Sequence, residues 1–236
     1  MEQVSTEVLP MWVRWCIVVA VFGGVLGIWG LCSHLYVRRM KEFARRFGLQ
    51  LHDGRCGDVR IPAHFSVTEY PGITGADGHV RASIEGERDG IAIAIIEYYY
   101  ATEGAQGMRT VGYRFPLACV TAPGLELARF HLEPERLRHK LSSAFGGEDI
   151  DFADAPRFSR LFRLRGDHAP GVRDIFSKET RSFFEERPGA LCEGEGDTFV
   201  YYRRPRMWRL SRFRPKTAER LLEEGIRLAK LFQNHG

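Results

Sequence analysis

The first thirteen residues hold no Lys or Arg, and residues 16 to 37, CIVVAVFGGVLGIWGLCSHLYV, hold no charged side chain of either sign. No CxxC pair, no HExxH and no glycine-rich phosphate loop occurs anywhere in the 236 residues. That removes the sequence warrant for a zinc ribbon, a zincin or P-loop nucleotide chemistry. Cysteine is scarce: Cys16 and Cys32 fall inside the apolar run, and Cys56, Cys119 and Cys192 are scattered. An odd, widely spaced set fits free cytoplasmic thiols better than a disulfide framework. Acidic residues, in turn, are absent from Arg203 to Lys216.

What is present starts with the apolar run. A bilayer core about 30 Å thick needs roughly 20 apolar residues in a helix, and Cys16 to Val37 supplies them with some tilt. Trp12 and Trp15 stand at one rim and Tyr36 at the other, where amphipathic rings favour the headgroup zone. Arg14 is the one basic side chain before the run, against Arg38, Arg39, Lys41, Arg45 and Arg46 after it. The positive-inside bias then places the N-terminus outside and the rest of the chain in the cytoplasm. A cleaved signal peptide fits less well, because its n-region should be basic and no A-x-A site follows the run. Within the run, Cys16, Ala20, Gly23, Gly27, Gly30 and His34 recur at spacings of 4, 3, 4, 3 and 4. This stripe of small residues suits close approach of two helices, hence a homodimer through Ala20, Gly23, Gly27 and Gly30, although glycine is common in membrane helices generally.

The net charge of +4 conceals a strong polarity. Residues 36 to 47 carry five basic and one acidic side chain, and residues 203 to 216 carry seven basic and none acidic. The remainder holds 22 basic and 29 acidic side chains, an acidic body with two basic patches. In RRPRMWRLSRFRPK the cations Arg203, Arg204, Arg206, Arg209, Arg212 and Arg214 alternate with Met207, Trp208, Leu210 and Phe213. Three partners suit that pattern. First comes the anionic inner leaflet, where each basic side chain contributes about 1 kcal/mol and aromatic rings dip into the interface. Second is the acidic body of the same domain. Third is single-stranded nucleic acid, with arginines on phosphates and Trp208 or Phe213 stacking on bases.

About 190 residues remain beyond the anchor, enough for one well-cored domain. The pattern predicts a short extracytoplasmic tail over 1–13, a membrane helix over 14–37, a juxtamembrane basic helix over 38–48 ending at Gly48, and a cytosolic α+β domain over 49–236. In that domain His79 to Glu87, Ile91 to Thr102 and Arg109 to Thr121 read as a meander, with a turn at Arg88-Asp89-Gly90. Ile91 to Ile96 is apolar on both faces, as in a central strand. Leu125 to Leu132 reads as a fourth strand, and Leu191 to Tyr202 as a second hairpin. Helices open at Pro134, at Pro156 after a cap by Asp154, at Pro170 (running to Pro188-Gly189) and at Pro215. The turn sequences EGERDG (85–90) and EGEGDT (193–198) echo one another. The fold class is α+β: an antiparallel sheet packed by three to four helices.

Candidate chemistry is thin. Glu148, Asp149, Asp151 and Asp154 gather carboxylates that suit a hard divalent cation, yet the spacing lacks the glycine and terminal glutamate of a calcium loop. A solvated turn accounts for them as well. Asp149 and Asp151 with His168 make up the candidate catalytic set of a membrane-tethered, metal-dependent hydrolase. Asp167-His168 has no GxSxG or reactive-cysteine context, and either residue serves equally as a helix entrance. No cofactor, resident metal or particular protein partner is indicated.

At FGGEDIDFADAPRFSRLFRLRGD, Phe145 to Asp167, the chain resembles a set of uncharacterised bacterial membrane-anchored proteins with a cytosolic α+β domain. The shared pattern is a DIDF-like acid-aromatic stretch followed by P-x-F-S-R-x-F-x-L-R-x-D. The resemblance implies the topology above over residues 40–235 and no activity. The stretch also reads physically: Phe152, Phe158 and Phe162 plug a core while Arg160, Arg163 and Arg165 face the acidic cluster. The reading as a whole is a single-pass bacterial inner-membrane protein whose cytoplasmic domain is a binding or scaffolding module on the anionic leaflet. Catalysis is not called for.

Overall fold

The computed structural model describes residues 10–53, 61, 65, 79–102, 111–135, 148–203 and 213–234. The chain divides into two compact units, Met1–Phe43 and Ala44–Gly236. Helix α1 (Met11–Arg46) dominates the first and continues through the basic cluster. It is long and apolar enough to cross a membrane, and its apolar window is wholly unburied. Gly48, with φ of +68°, follows as the expected stop.

The second unit is built on one nine-stranded sheet. Its strands are β1 (Gln50–Asp53), β2 (His79–Arg88), β3 (Ile91–Thr102), β4 (Val111–Thr121), β5 (Leu127–Pro134), β6 (Glu148–Asp149), β7 (Phe162–Gly166), β8 (Ala190–Gly196) and β9 (Thr198–Arg203). The spatial order is β1-β2-β3-β4-β9-β8-β5-β7-β6, and every pairing is antiparallel. The β2–β3 turn places Asp89 at φ 56° and Gly90 at φ 75°, the left-handed pair that a two-residue hairpin demands. β9 lies between β4 and β8, so the C-terminal hairpin welds the meander to the β5–β7 half.

Among the described residues four helices follow α1: α2 (Pro156–Leu161), α3 (Ala169–Ile175), α4 (Lys178–Glu185) and α5 (Pro215–Gln233). The helix expected from Pro170 to Pro188 is two helices. Ser177 interrupts it because its Oγ accepts the Thr180 backbone N–H at 3.2 Å and so caps α4, a local alternative to continuing the turn. Asp154 does not cap α2: the cap position is Ala155, without a side-chain hydrogen bond, and the Asp154 carboxylate is drawn to Arg181 instead. The helix expected after Pro134 lies outside the described residues.

The helices bury one sheet face. Phe130 of β5, Phe199 of β9, Phe176 at the C-terminal cap of α3, and Phe232 of α5 interlock at centroid distances of 5.0 to 6.2 Å, and Phe158, Phe162, Phe183, Phe184 and Tyr201 extend the cluster. α5 lies close to the sheet at Gly225, where a Cβ would meet Ile93, Val120 and Ala118. On the opposite face, Ala94, Ile96, Tyr98, Phe115, Leu117, Leu191, Val200 and Tyr202 form a second buried cluster with Phe65. β3 is thus apolar on both faces for the expected reason, its central position. Phe176→Ala, which removes the ring shared by Phe130, Phe158, Phe184 and Phe232, is expected to lower unfolding stability by about 3–5 kcal/mol. Denaturant unfolding of the purified chain in neutral detergent measures this, and a change under about 1 kcal/mol would contradict the packing.

Candidate functional site

The strand pairing gathers charge on the sheet face away from the helices. β5 pairs with β7 so that His131 stands opposite Arg165 and Glu133 opposite Arg163, and β8 sets Glu193 opposite His131 on the other side. β6 adds Asp149 opposite Arg165. His131, Glu133 and Glu193 are each at most 3% exposed. His131 Nδ1 lies 3.5 Å from Glu193 Oε1, and Nε2 lies 3.9 Å from Glu133 Oε2. Tyr202 donates its hydroxyl to Glu193 Oε1 at 3.4 Å. Burial disfavours a charged imidazole, but the two flanking carboxylates outweigh it and raise the His131 pKa to about 9. Glu133 Oε2 is buried without a hydrogen bond.

The carboxylates singled out by the sequence are mostly committed. Asp149 accepts from Arg163 through Nε at 2.9 Å and Nη2 at 2.7 Å, and from Arg165 Nε at 2.8 Å. The hydrogen-bonded Arg163 guanidinium, followed by Arg165, holds its carboxyl at about 2 although half the side chain is exposed. Asp154 is gripped by Arg181 at 3.1 and 2.6 Å, and that guanidinium also stacks 4.3 Å from the Phe152 ring centroid. Asp151 is exposed and uses its backbone carbonyl, accepting from Arg173 at 2.6 Å. Arg160 turns back to the Pro156 carbonyl and not to the acidic cluster. The expected plugs Phe152, Phe158 and Phe162 are all buried.

A polar cleft of about 390 Å³ brings Asp149 and Asp151 together with Glu135, Ser159 and Arg163. His168 does not line it: it is exposed at the entrance of α3 and makes no side-chain cap. No group of three or more His, Cys, Asp or Glu side chains among the described residues is arranged to hold a metal ion. Burial pushes the Cys119 thiol up to about 12 and the Cys192 thiol well above its ordinary value, so neither is a nucleophilic thiolate at neutral pH. A larger open groove of about 790 Å³ runs along β1 to β4 beside Gln50, His52, Glu85 and Glu87, away from both charge clusters.

Of the basic stretch, Arg203 and residues 213–216 are described, and Arg204, Arg206, Trp208, Arg209 and Arg212 lie outside the described residues. Phe213 is fully buried in the core and so is not a ring free to stack on bases or dip into lipid. Arg203 ends β9 and reaches to 3.8 Å from Glu224, while Arg214 is exposed at the entrance of α5. Ala20, Gly23, Gly27 and Gly30 are exposed on α1, with nothing within 4 Å of a Cβ built on any of the three glycines. The sequence reading passed over His131, Glu133, Glu193, Arg187, Arg220 and Glu224. A signal for the first two exists, since their spacing of two in a strand puts them on one face.

No family model matches the chain, and no curated protein matches it. The fold is similar to that in the crystal structure of the mycobacterial trehalose monomycolate transport factor A, with a TM-score of 0.51 and 10% sequence identity. The similarity covers 84% of this chain and 92% of that one.

The buried imidazolium sets a pH dependence. Its folded pKa of about 9 exceeds the ordinary 6.5, so the stabilisation is complete below about 6.5 and is lost as pH rises through 9. The melting temperature is expected to fall between pH 7 and pH 10, and this fall should flatten in His131→Gln. A melting temperature that is constant or rises over that range in the unsubstituted chain would contradict the ion cluster.

Proposed function

We propose that the chain is a single-pass bacterial membrane protein, with its N-terminus outside and its α+β unit in the cytoplasm as a binding or scaffolding module on the anionic inner leaflet. The observation that carries this is α1, a 36-residue helix with an unburied apolar window, one arginine before that window and five basic side chains after it. The cation-aromatic stretch over 203–216 supplies a second contact with anionic headgroups. The small-residue stripe at Ala20, Gly23, Gly27 and Gly30 offers a self-association face. The resemblance of Phe145 to Asp167 to bacterial membrane-anchored proteins is in keeping with this reading. The fold is also found in a mycobacterial trehalose monomycolate transport factor.

The hydrolase alternative asks Asp149 to ligate a metal while three charge-assisted hydrogen bonds from two arginines already occupy it. No comparable observation favours nucleic acid, because a tethered domain meets the leaflet first.

Two measurements test the proposal. External protease should leave a C-terminally tagged chain full length in intact spheroplasts and digest it only after lysis. Digestion without lysis would overturn the topology. In nanodiscs carrying the full chain, tryptic cleavage within 203–216 should slow several-fold when phosphatidylserine joins phosphatidylcholine, and salt should reverse the effect. Equal rates in both lipids would overturn the leaflet contact.

A further inference from the structure

Glu224 of α5 draws three guanidiniums to one carboxylate. Arg187 Nε donates to its Oε1 at 3.0 Å, Arg203 Nη2 stands at 3.8 Å, and Arg220 Nε stands 4.0 Å from Oε2. The Tyr201 hydroxyl donates to Oε2 at 3.0 Å. The Glu224 side chain is 11% exposed, so this carboxylate is the fixed floor of the group.

The three cations are held unequally. Arg187 is fully engaged: besides Glu224 it donates to the Phe183 carbonyl at 2.8 Å and to Glu186 Oε2 at 2.9 Å. Its guanidinium also lies 4.0 Å from the Phe183 ring centroid, and Arg227 approaches that ring from 5.5 Å. Arg203 and Arg220 are too far from Glu224 to hydrogen-bond it, and their side chains are 33% and 48% exposed. Arg203 Nε is buried without an acceptor, a standing cost to the folded chain. Three guanidiniums against the Glu224 and Glu186 carboxylates leave an excess of one positive charge, and guanidiniums are planar forks whose geometry matches phosphate oxygens.

We propose that Arg187, Arg203 and Arg220, organised on Glu224, form a phosphate-binding site. Glu224 lets three like charges converge, Arg187 fixes one wall, and Arg203 and Arg220 swing onto the incoming oxygens. Re-aiming Arg203 at an oxygen relieves its unpaired donor. The phosphate belongs either to a lipid headgroup or to a soluble phosphate. The site shares only Arg203 with the membrane-contacting stretch and stands or falls separately from it.

The test is the melting temperature of the full chain in neutral detergent, titrated with inorganic phosphate, with phosphatidic acid in mixed micelles, and with phosphatidylcholine or matched chloride as blanks. A ligand bound only by the folded state raises it. Stabilisation by both phosphate probes identifies a site open to soluble phosphate, and stabilisation by phosphatidic acid alone identifies a headgroup site. Arg220→Gln should shift the titration to roughly tenfold higher ligand, since hydrogen bonds to charged groups are worth about 1.5–3 kcal/mol. The ligand-free melting temperature should hold, because Arg220 is half exposed and makes only a loose ion pair. Arg220→Lys, which keeps the charge and loses the fork, should fall between. Arg157→Gln removes a more exposed cation from α2, at 69% against 48% for Arg220, and should leave the titration unchanged. No stabilisation by either phosphate probe, or equal weakening by Arg157→Gln, would overturn the site. Retention of phosphate binding when Arg206, Arg209 and Arg212 become Glu would separate it from the leaflet contact, and its loss there would contradict the placement.

Discussion

Fourteen large apolar side chains, from Met11 to Leu35, stand exposed along α1, and among the described residues no others of that kind are exposed elsewhere. Sequestering such a side chain from water is worth about 1.5–3 kcal/mol, so the total is on the order of 20–40 kcal/mol. That exceeds the whole stability of an ordinary domain, about 5–15 kcal/mol. A bilayer removes this cost, and little else does so for a helix that leaves every one of these groups unburied. The proposed function depends on that constraint, because a tethered domain meets the lipid surface at high effective concentration and needs only weak contacts there.

In the second unit, charge is organised by strand register. Asp149, Glu133 and Glu193 alternate with Arg163, Arg165 and His131 across β6, β7, β5 and β8, a set whose formal charges cancel. Asp149, Arg163 and Arg165, which satisfy one another, hold strands together and make Asp149 a poor general acid, base or metal ligand. The Glu224 cluster is the opposite case: three guanidiniums outnumber the Glu224 and Glu186 carboxylates, and Arg203 Nε has no acceptor.

Much of this was legible in the sequence. The anchor, the turn at Asp89-Gly90, the strand Ile91–Thr102 and the helix opened by Pro215 follow from local rules about apolar length, left-handed turn residues and helix-opening proline. The partnership of Asp149 with Arg163 and Arg165 was read from one short stretch because hairpin-like proximity brings them together. β7 was missed although Phe162, Arg163, Leu164 and Arg165 alternate, because five residues after a helix carry little signal. The His131 network and the Glu224 cluster were out of reach for a deeper reason. Each joins residues from separate elements, Arg187, Arg203 and Glu224 among them, and only the insertion of β9 between β4 and β8 sets such neighbours. Ser177 shows the reverse, a local capping bond that outweighs a helical pattern running across it.

The most direct test of the account is extraction of cell membranes carrying the tagged full chain with alkaline carbonate, which strips proteins held by charge or by partners and leaves spanning helices in place. The account predicts that the chain stays in the membrane pellet and enters solution only with detergent. Release into the carbonate supernatant would show that α1 is not embedded in lipid, and would contradict the claim on which the topology and the leaflet contact both rest.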